Sequence, residues 1–307
     1  MIVEEIPAAL AGERIDRVVA IVTQASRSEA AGLIEAGAVT VDGLPPASGK
    51  VRVREGQRVV VDETQLPVTP RPAADPAVVV HVVHADDDLI VVDKQPGLVV
   101  HPGAGHAEGT LVNGLLARFP EIADVGEPHR PGIVHRLDVG TSGLLVVARS
   151  QQAYTALVEA LAAHRVGRTY RALVWGTPPN PNGMIDAPIG RDHRDPTRMA
   201  VVVDGRPART EFRVLRVYDR PAEISALRCQ LQTGRTHQIR VHLAAIGHPV
   251  VGDGTYGGSR DLLDVPRPFL HAAEVALRHP VTHEALEFTS PLPPDLAAIE
   301  SDLDRLG

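Results

Sequence analysis

The stretch HRLDVGTSGLLVVARS, residues 135–150, decides how the chain is read, because it passes directly from a charged turn into an apolar strand. His135, Arg136 and Asp138 stand before Gly140 and Gly143, and Leu144 to Arg149 then reads as a strand that a core would cover. A carboxylate on a loop held by a rigid strand is placed where a catalytic acid or nucleophile has to be. Taken alone, Asp138 is ambiguous, since an aspartate ahead of a turn also serves as a turn former.

A second segment, QTGRTHQIRVH at 232–242, narrows the choice. It opens as a turn and continues as a helix over Thr236 to Ile246, with Thr236 as the expected cap and Gly247 as the stop. At three and four residue steps His237, Arg240 and Ala244 share one face, while Ile239, Leu243 and Ile246 face the core. An aspartate in a cleft stays ionised at neutral pH when a cation lies within about 4 Å, and Arg240 suits that duty toward Asp138.

Outward from these segments the pattern is α+β, with a mixed or antiparallel sheet. Strand-like runs cover Val78 to Val83, Leu89 to Asp93, Thr169 to Trp175, Thr210 to Tyr218, Glu223 to Gln232 and Phe269 to Leu277. Helical spacing is confined to Thr110 to Phe119, Gln151 to His164 and Thr236 to Ile246, with a surface helix over Pro294 to Leu306. This order is not a repeating strand-helix-strand fold, and no solenoid period is present. Residues 64–77 carry four prolines and read as a stiff linker between a first domain, 1–63, and a second, 78–307. The first holds two short helices, Glu13 to Gln24 and Ser28 to Ala36 with Ser26 or Ser28 as cap, then strands at Val39 to Val41 and Gln57 to Asp62. Such a module is too small for an enzyme and is expected to bind something.

Composition removes several classes. At 307 residues and 44% hydrophobic content the chain can bury more than one core, but no apolar run approaches the roughly 20 residues of a membrane span. The amino terminus carries acids where a secretory signal carries positive charge, so a cytoplasmic location is expected. Cys229 is the single cysteine, which removes intrachain disulfides and multi-cysteine metal sites and makes it core filler. His101 and His106, like His237 and His242, are five apart, a spacing that suits packing or hydrogen bonding rather than a metal pair on one helix face. Gly252 to Gly257 has the glycine spacing of a dinucleotide loop, but Pro266 and Pro268 come before any helix. Net charge is −7, unusual for a nucleic-acid binder, yet between Arg206 and Arg240 eight arginines face three acids. That local excess of five could steer a polyanion, with affinity that falls steeply with salt.

Together, His135-Arg136-Leu137-Asp138, Thr141-Ser142-Gly143 and the block Thr233 to His242 resemble the RluA and RluD family of pseudouridine synthases. The likeness extends through Asp93-Lys94, Val99 to Gly105, Arg168 to Ala172, Gly247-His248-Pro249, Gly252-Asp253 and Tyr256-Gly257. Gln95 and Val139 depart from the usual pattern at positions not assigned to chemistry. In the first domain, Arg14 to Arg17, Ser26-Arg27-Ser28, Gly37 to Gly43 and Gly56 to Val59 are similar to the small RNA-binding domain named after ribosomal protein S-four.

The resemblance implies an isomerase that turns uridine into pseudouridine in RNA, most nearly in large-subunit (23S) ribosomal RNA, as a monomer and without a cofactor or metal. It assigns Asp138 as nucleophile or initiating base, Arg240 as its charge partner, and Tyr170 as the residue that stacks on uracil and serves its C5 proton. It gives Arg136 the RNA strand from which the uridine is extruded, Arg27 an RNA phosphate, and RNA contacts to His135, Arg235 and His237. Two other readings stay open: an RNA-binding assembly factor, and a glycosidic hydrolase with Glu211 or Asp253 as second carboxylate.

Overall fold

The computed structural model describes residues 1–306 except 24, 26, 66–70, 104 and 196, and the side chains of these except 27, 28 and 63. The chain divides into two compact units, Met1–Pro70 and Arg71–Gly307. In the first, strands β1 (Ile2–Glu5), β2 (Val39–Val41) and β3 (Arg58–Val61) form an antiparallel sheet in the order β1-β3-β2. Helices α1 (Ile15–Thr23) and α2 (Arg27–Glu35) share its core of Ile15, Val18, Val19, Leu33, Val39, Val59 and Val61. β1 was not expected; its side chains alternate between half-buried and exposed, and four residues are too few to display that period clearly. The expected cap at Ser26 and the side chains of Ser28 and Arg27 lie outside what is described.

The larger unit is built on one nine-stranded sheet. Its strands are β4 (Val82–Ala85), β5 (Leu89–Lys94), β6 (Ser142–Ala148), β7 (Gly167–Trp175), β8 (Asn182–Asp186), β11 (Arg209–Tyr218), β12 (Ile224–Leu231), β13 (Leu270–Arg278) and β14 (Ala285–Thr289). A two-stranded ribbon, β9 (Ile189–Arg191) and β10 (Met199–Val201), stands beside them, and the helices are α3 (Leu111–Arg118), α4 (Gln151–Ala162), α5 (Gln238–Ala245) and α6 (Pro294–Leu306). The sheet order is β4-β5-β6-β13-β7-β12-β11-β8, with β14 beside the far half of β13. Every pairing is antiparallel except β6 with β13, where His271 lies opposite Ser142 and Ala272 opposite Gly143. The sheet is therefore mixed, as expected, and β8, β9, β10 and β14 are additions, each too short or too polar to read from sequence.

Alternation along β7 separates the two faces. Tyr170, Ala172 and Val174 join the main core with Leu89 to Val92 and Leu144 to Ala148, while Leu173 and Trp175 join a second cluster with Phe269 and with Leu296, Ile299 and Leu303 of α6. α6 is thus an amphipathic cover for the second face rather than a purely superficial helix. Residues 71–77 also differ from expectation: Asp75 N donates to Asn113 O at 2.9 Å and Asn113 Nδ2 to Ala73 O at 2.7 Å, so this part of the proline-rich segment is tied to α3. β4 begins later than expected, at Val82; Val78 and Val80 pack instead against α3, where Gly114 has no room for a side chain of its own.

Candidate active site

The loop 135–141 leaves the edge of β6 carrying Asp138, and the fold holds it from several sides. Thr141 N donates to Asp138 O at 3.0 Å and Gly97 N to Val139 O at 2.7 Å. Arg267 Nη1 donates to Gly140 O at 2.9 Å, its other nitrogens being clasped by Asp295. Beneath the loop Lys94, 1% exposed, donates from Nζ to Gln95 O at 2.8 Å, Leu98 O at 2.9 Å and Val139 O at 3.4 Å. Burial pulls its pKa down to about 7, against the attraction of Asp138 and with the repulsion of Arg267. Gly143, at φ +110°, lets the strand start here, because a Cβ would fall 2.3 Å from Ala272 O.

Helix α5 brings the cation. Its expected cap, Thr236, is not one: His237 holds the N-cap position in the left-handed region at φ 56° and ψ 21°, without a side-chain cap. The turn is organised instead by Gln238, whose Oε1 accepts from Thr233 Oγ1 at 2.7 Å and Arg235 N at 2.9 Å, while Nε2 donates to Arg209 O at 2.9 Å. One turn on, Arg240 donates from Nη1 to Asp138 Oδ2 at 3.1 Å, and from Nε and Nη2 to Asp253 at 2.6 and 2.9 Å. Burial opposes charge on this guanidinium, but the hydrogen bonds and charge of Asp253, and then Asp138, raise its pKa on balance. Ile246, expected in the core, is 39% exposed because α5 ends before it.

These elements line one cleft of about 530 Å³ that contains Asp138, Tyr170, Arg240, Arg136, Arg235 and His237. Tyr170 is 5% exposed, and burial, opposed by Arg168 and aided by Asp138, pushes its hydroxyl up to about 12, so it is a neutral phenol at neutral pH. Arg136 is exposed at the cleft, and Arg235 reaches it while donating from Nε to Pro207 O at 3.1 Å. His237 is joined to a second tyrosine. Met199 N donates to Tyr256 Oη at 3.2 Å, and Tyr256 Oη and His237 Nδ1 share a hydrogen bond at 2.8 Å.

Two expectations change. His135, assigned an RNA contact, lines the cleft but is engaged by the fold: Nε2 accepts from Val146 N at 3.0 Å, Nδ1 is buried without a partner, and burial lowers its pKa to about 3, so it is a neutral anchor for β6. The arginines of 206–240 do not all form one open basic face: Arg209, Arg216 and Arg228 pair with Asp186, Asp304 and Glu274, Arg206 and Arg235 line the cleft, and Arg213 and Arg220 are exposed. Neither suggested second carboxylate is free for hydrolysis. The Asp253 side chain is 0% exposed and spent on Arg240, and Glu211 accepts from Gln232 away from the cleft. Asp253 as clamp and Lys94 as loop anchor were not assigned by sequence reasoning; an acid six residues past the Gly247 stop and a lysine ending an apolar strand were the available signals.

With this geometry in place, comparisons with known proteins agree. Residues 88–245 match the family model described as RNA pseudouridylate synthase, and residues 13–59 match the S4 domain. The chain is 49% identical over 295 residues to an uncharacterized RNA pseudouridine synthase of Chloroflexus aurantiacus, covering 96% of this chain and 91% of that one. It is 42% identical over 304 residues to the ribosomal large subunit pseudouridine synthase D of Pseudomonas aeruginosa, covering 95% and 92%. Among solved structures, human RNA pseudouridylate synthase domain containing 1 superposes with a TM-score of 0.58 at 30% identity, over 72% of this chain and 88% of that one. A buried arginine clasping a cleft aspartate, a tyrosine beside them and an S4 domain ahead of them all meet in one conclusion: the chain belongs to the RNA pseudouridylate synthase family.

Proposed function

We propose that this chain isomerises uridines of large-subunit ribosomal RNA, with Asp138, Tyr170 and Arg240 as its chemical residues. The observation that carries the reading is the single 3.1 Å bond from Arg240 to Asp138, which leaves the rest of the carboxylate open to the cleft while holding its charge. The uridine is extruded from the RNA, with Arg136 at the rim against the strand, at a cost of a few kcal/mol of unstacking. The bond from C1′ to N1 breaks with Asp138 acting at the sugar, the uracil turns, and C5 rejoins C1′. The C5 proton then leaves and N1 regains one, so the product is an isomer. Tyr170, a neutral phenol, offers its ring to the base and its oxygen to the C5 proton. The amino-terminal unit, an S4 domain by sequence, supplies RNA affinity.

The experiment is release of tritium from ribosomal RNA labelled at uracil C5. The wild-type protein releases it, and Asp138→Asn loses on the order of 10⁴-fold or more in rate, as removal of a covalent catalyst does. Equal, negligible release from both proteins would refute the reading. Release from ribosomal RNA no faster than from transfer RNA would refute the substrate.

A further inference from the structure

Arg240 is a buried guanidinium with two carboxylates. The same cleft holds a second one that has none. Arg168 lies on β7 two residues before Tyr170, hence on the same face of the sheet, and is 6% exposed. Among the described residues it has no ion pair, and its Nε is buried without an acceptor. Its surroundings are His135, neutral as argued above, the Tyr170 phenol, and the backbone of Gly234, where a Cβ would stand 2.8 Å from Nη1. A guanidinium out of water without an anion is costly, and the fold keeps it at the wall of the cleft that holds Asp138.

The proposed reaction makes an anion at this place. When the bond from C1′ to N1 breaks, its electron pair stays with uracil and spreads over N1, O2 and O4, while C1′ is taken by the Asp138 carboxylate. After rotation C5 returns a pair to C1′, the carboxylate departs, the C5 proton is lost and N1 is protonated. Between the two bond changes the detached base carries a full negative charge. We propose that Arg168 is a further catalytic residue, its guanidinium donating to a carbonyl oxygen of the flipped uracil and taking up the charge left when the glycosidic bond breaks. A donor preset where charge develops, and unpaired before it does, favours the transition state over the bound substrate. The RNA phosphates are the other available anions, but they stay with the strand at the mouth, where Arg136 is exposed. Arg168 is deeper, against the ring that stacks on the base.

The inference rests on the proposed function, and the test separates the two. The full-length wild type, Arg168→Met and Arg168→Lys are compared under single-turnover conditions on a large-subunit ribosomal RNA transcript, with RNA affinity measured by filter binding and folding by thermal melting. A second transcript carries 5-fluorouridine, whose base is a better anion; with fluorine in place of the C5 proton its reaction ends at the C5-linked base, which takes up water across C6 and N1, and loss of the N1-linked nucleoside is followed by chromatography. Arg168→Met is expected to lose on the order of 100-fold in rate on uridine with affinity within about twofold, and only about tenfold or less on 5-fluorouridine, with Arg168→Lys between. Equal losses on both transcripts would make Arg168 a packing residue, and a loss of affinity matching the loss of rate would make it a phosphate contact; either overturns the proposal. If Arg168→Met melts below the assay temperature, Arg168→Lys decides by the same ratio. A wild type that converts neither transcript overturns the proposed function itself, and this inference with it.

Discussion

Two loops bring a carboxylate to the same guanidinium, and they treat it oppositely. Asp253 takes two bonds from Arg240 at 2.6 and 2.9 Å, accepts from Thr255 N at 3.0 Å and Tyr256 N at 3.2 Å, and has a side chain 0% exposed. Asp138 takes one bond at 3.1 Å and has a side chain 16% exposed on the cleft. The first has its lone pairs occupied and is structural. The second is oriented by its one ion pair but unsaturated, which is what a group that must attack or accept needs. On the proposed function, reactivity in this pair is set less by the residue type than by which oxygen the fold leaves without a donor.

The comparison breaks most readily at its saturated end. Asp253→Asn leaves Arg240 half-paired in the core and is expected to cost about 3–5 kcal/mol in urea unfolding, as breaking a buried pair does. Asp138→Asn should cost under about 1 kcal/mol in the same measurement, since its partner keeps Asp253. If the two losses are equal, the distinction between clamp and catalyst fails.

A smaller effect tests the support of the reactive loop. Lys94→Met removes the donor to three carbonyls and should lower stability by about 1–3 kcal/mol near pH 9. The pH dependence has a definite sign. Folded Lys94 titrates near 7 against an ordinary 10.5, so between these values the unfolded chain binds more protons and stability rises with pH. The penalty of burying the ammonium is fully present below pH 7 and is relieved toward 10.5. The wild type should therefore gain on Lys94→Met as pH rises from 7 to 10 in parallel denaturant titrations, and a constant difference would remove the shifted lysine from the account.

The smallest effect lies on the Asp253 loop. Tyr256→Phe deletes the hydrogen bonds of its hydroxyl with His237 and Met199 N, with an expected loss of about 1 kcal/mol in rate or stability, roughly fivefold in tritium release. A hundredfold loss would mean that Tyr256 acts in the chemistry and that the Asp253 loop is not merely structural.

What the sequence disclosed follows from the range of the interactions involved. Asp138 and Arg240 each sit in a local pattern, a turn into an apolar strand and a helical face, and α5, β6, β7, β11 and β12 are long enough to show their period. Residues whose role depends on a partner far along the chain were not legible. Asp253 is thirteen residues past Arg240, around a loop that periodicity does not describe. Thr236 looked like a cap because residue type favours it, but Gln238 satisfied the turn from inside and pushed His237 into the left-handed region. His135 was given an RNA contact by resemblance alone, and the structure adds what no local pattern showed, that its ring accepts a backbone amide of the strand that follows.

The one parallel pairing of the sheet bears on when the enzyme comes into being. Asp138 and Tyr170 flank strands β6 and β7, but these do not touch each other; β13, residues Leu270–Arg278, lies between them. A growing chain that has reached residue 265 already carries Asp138, Tyr170 and Arg240, yet the strand that must join the two halves of its sheet has not been made. Those contacts span more than a hundred residues and close late. Assembly of the cleft is thus tied to the last stretch of synthesis, long after the S4 domain at residues 13–59 has been made.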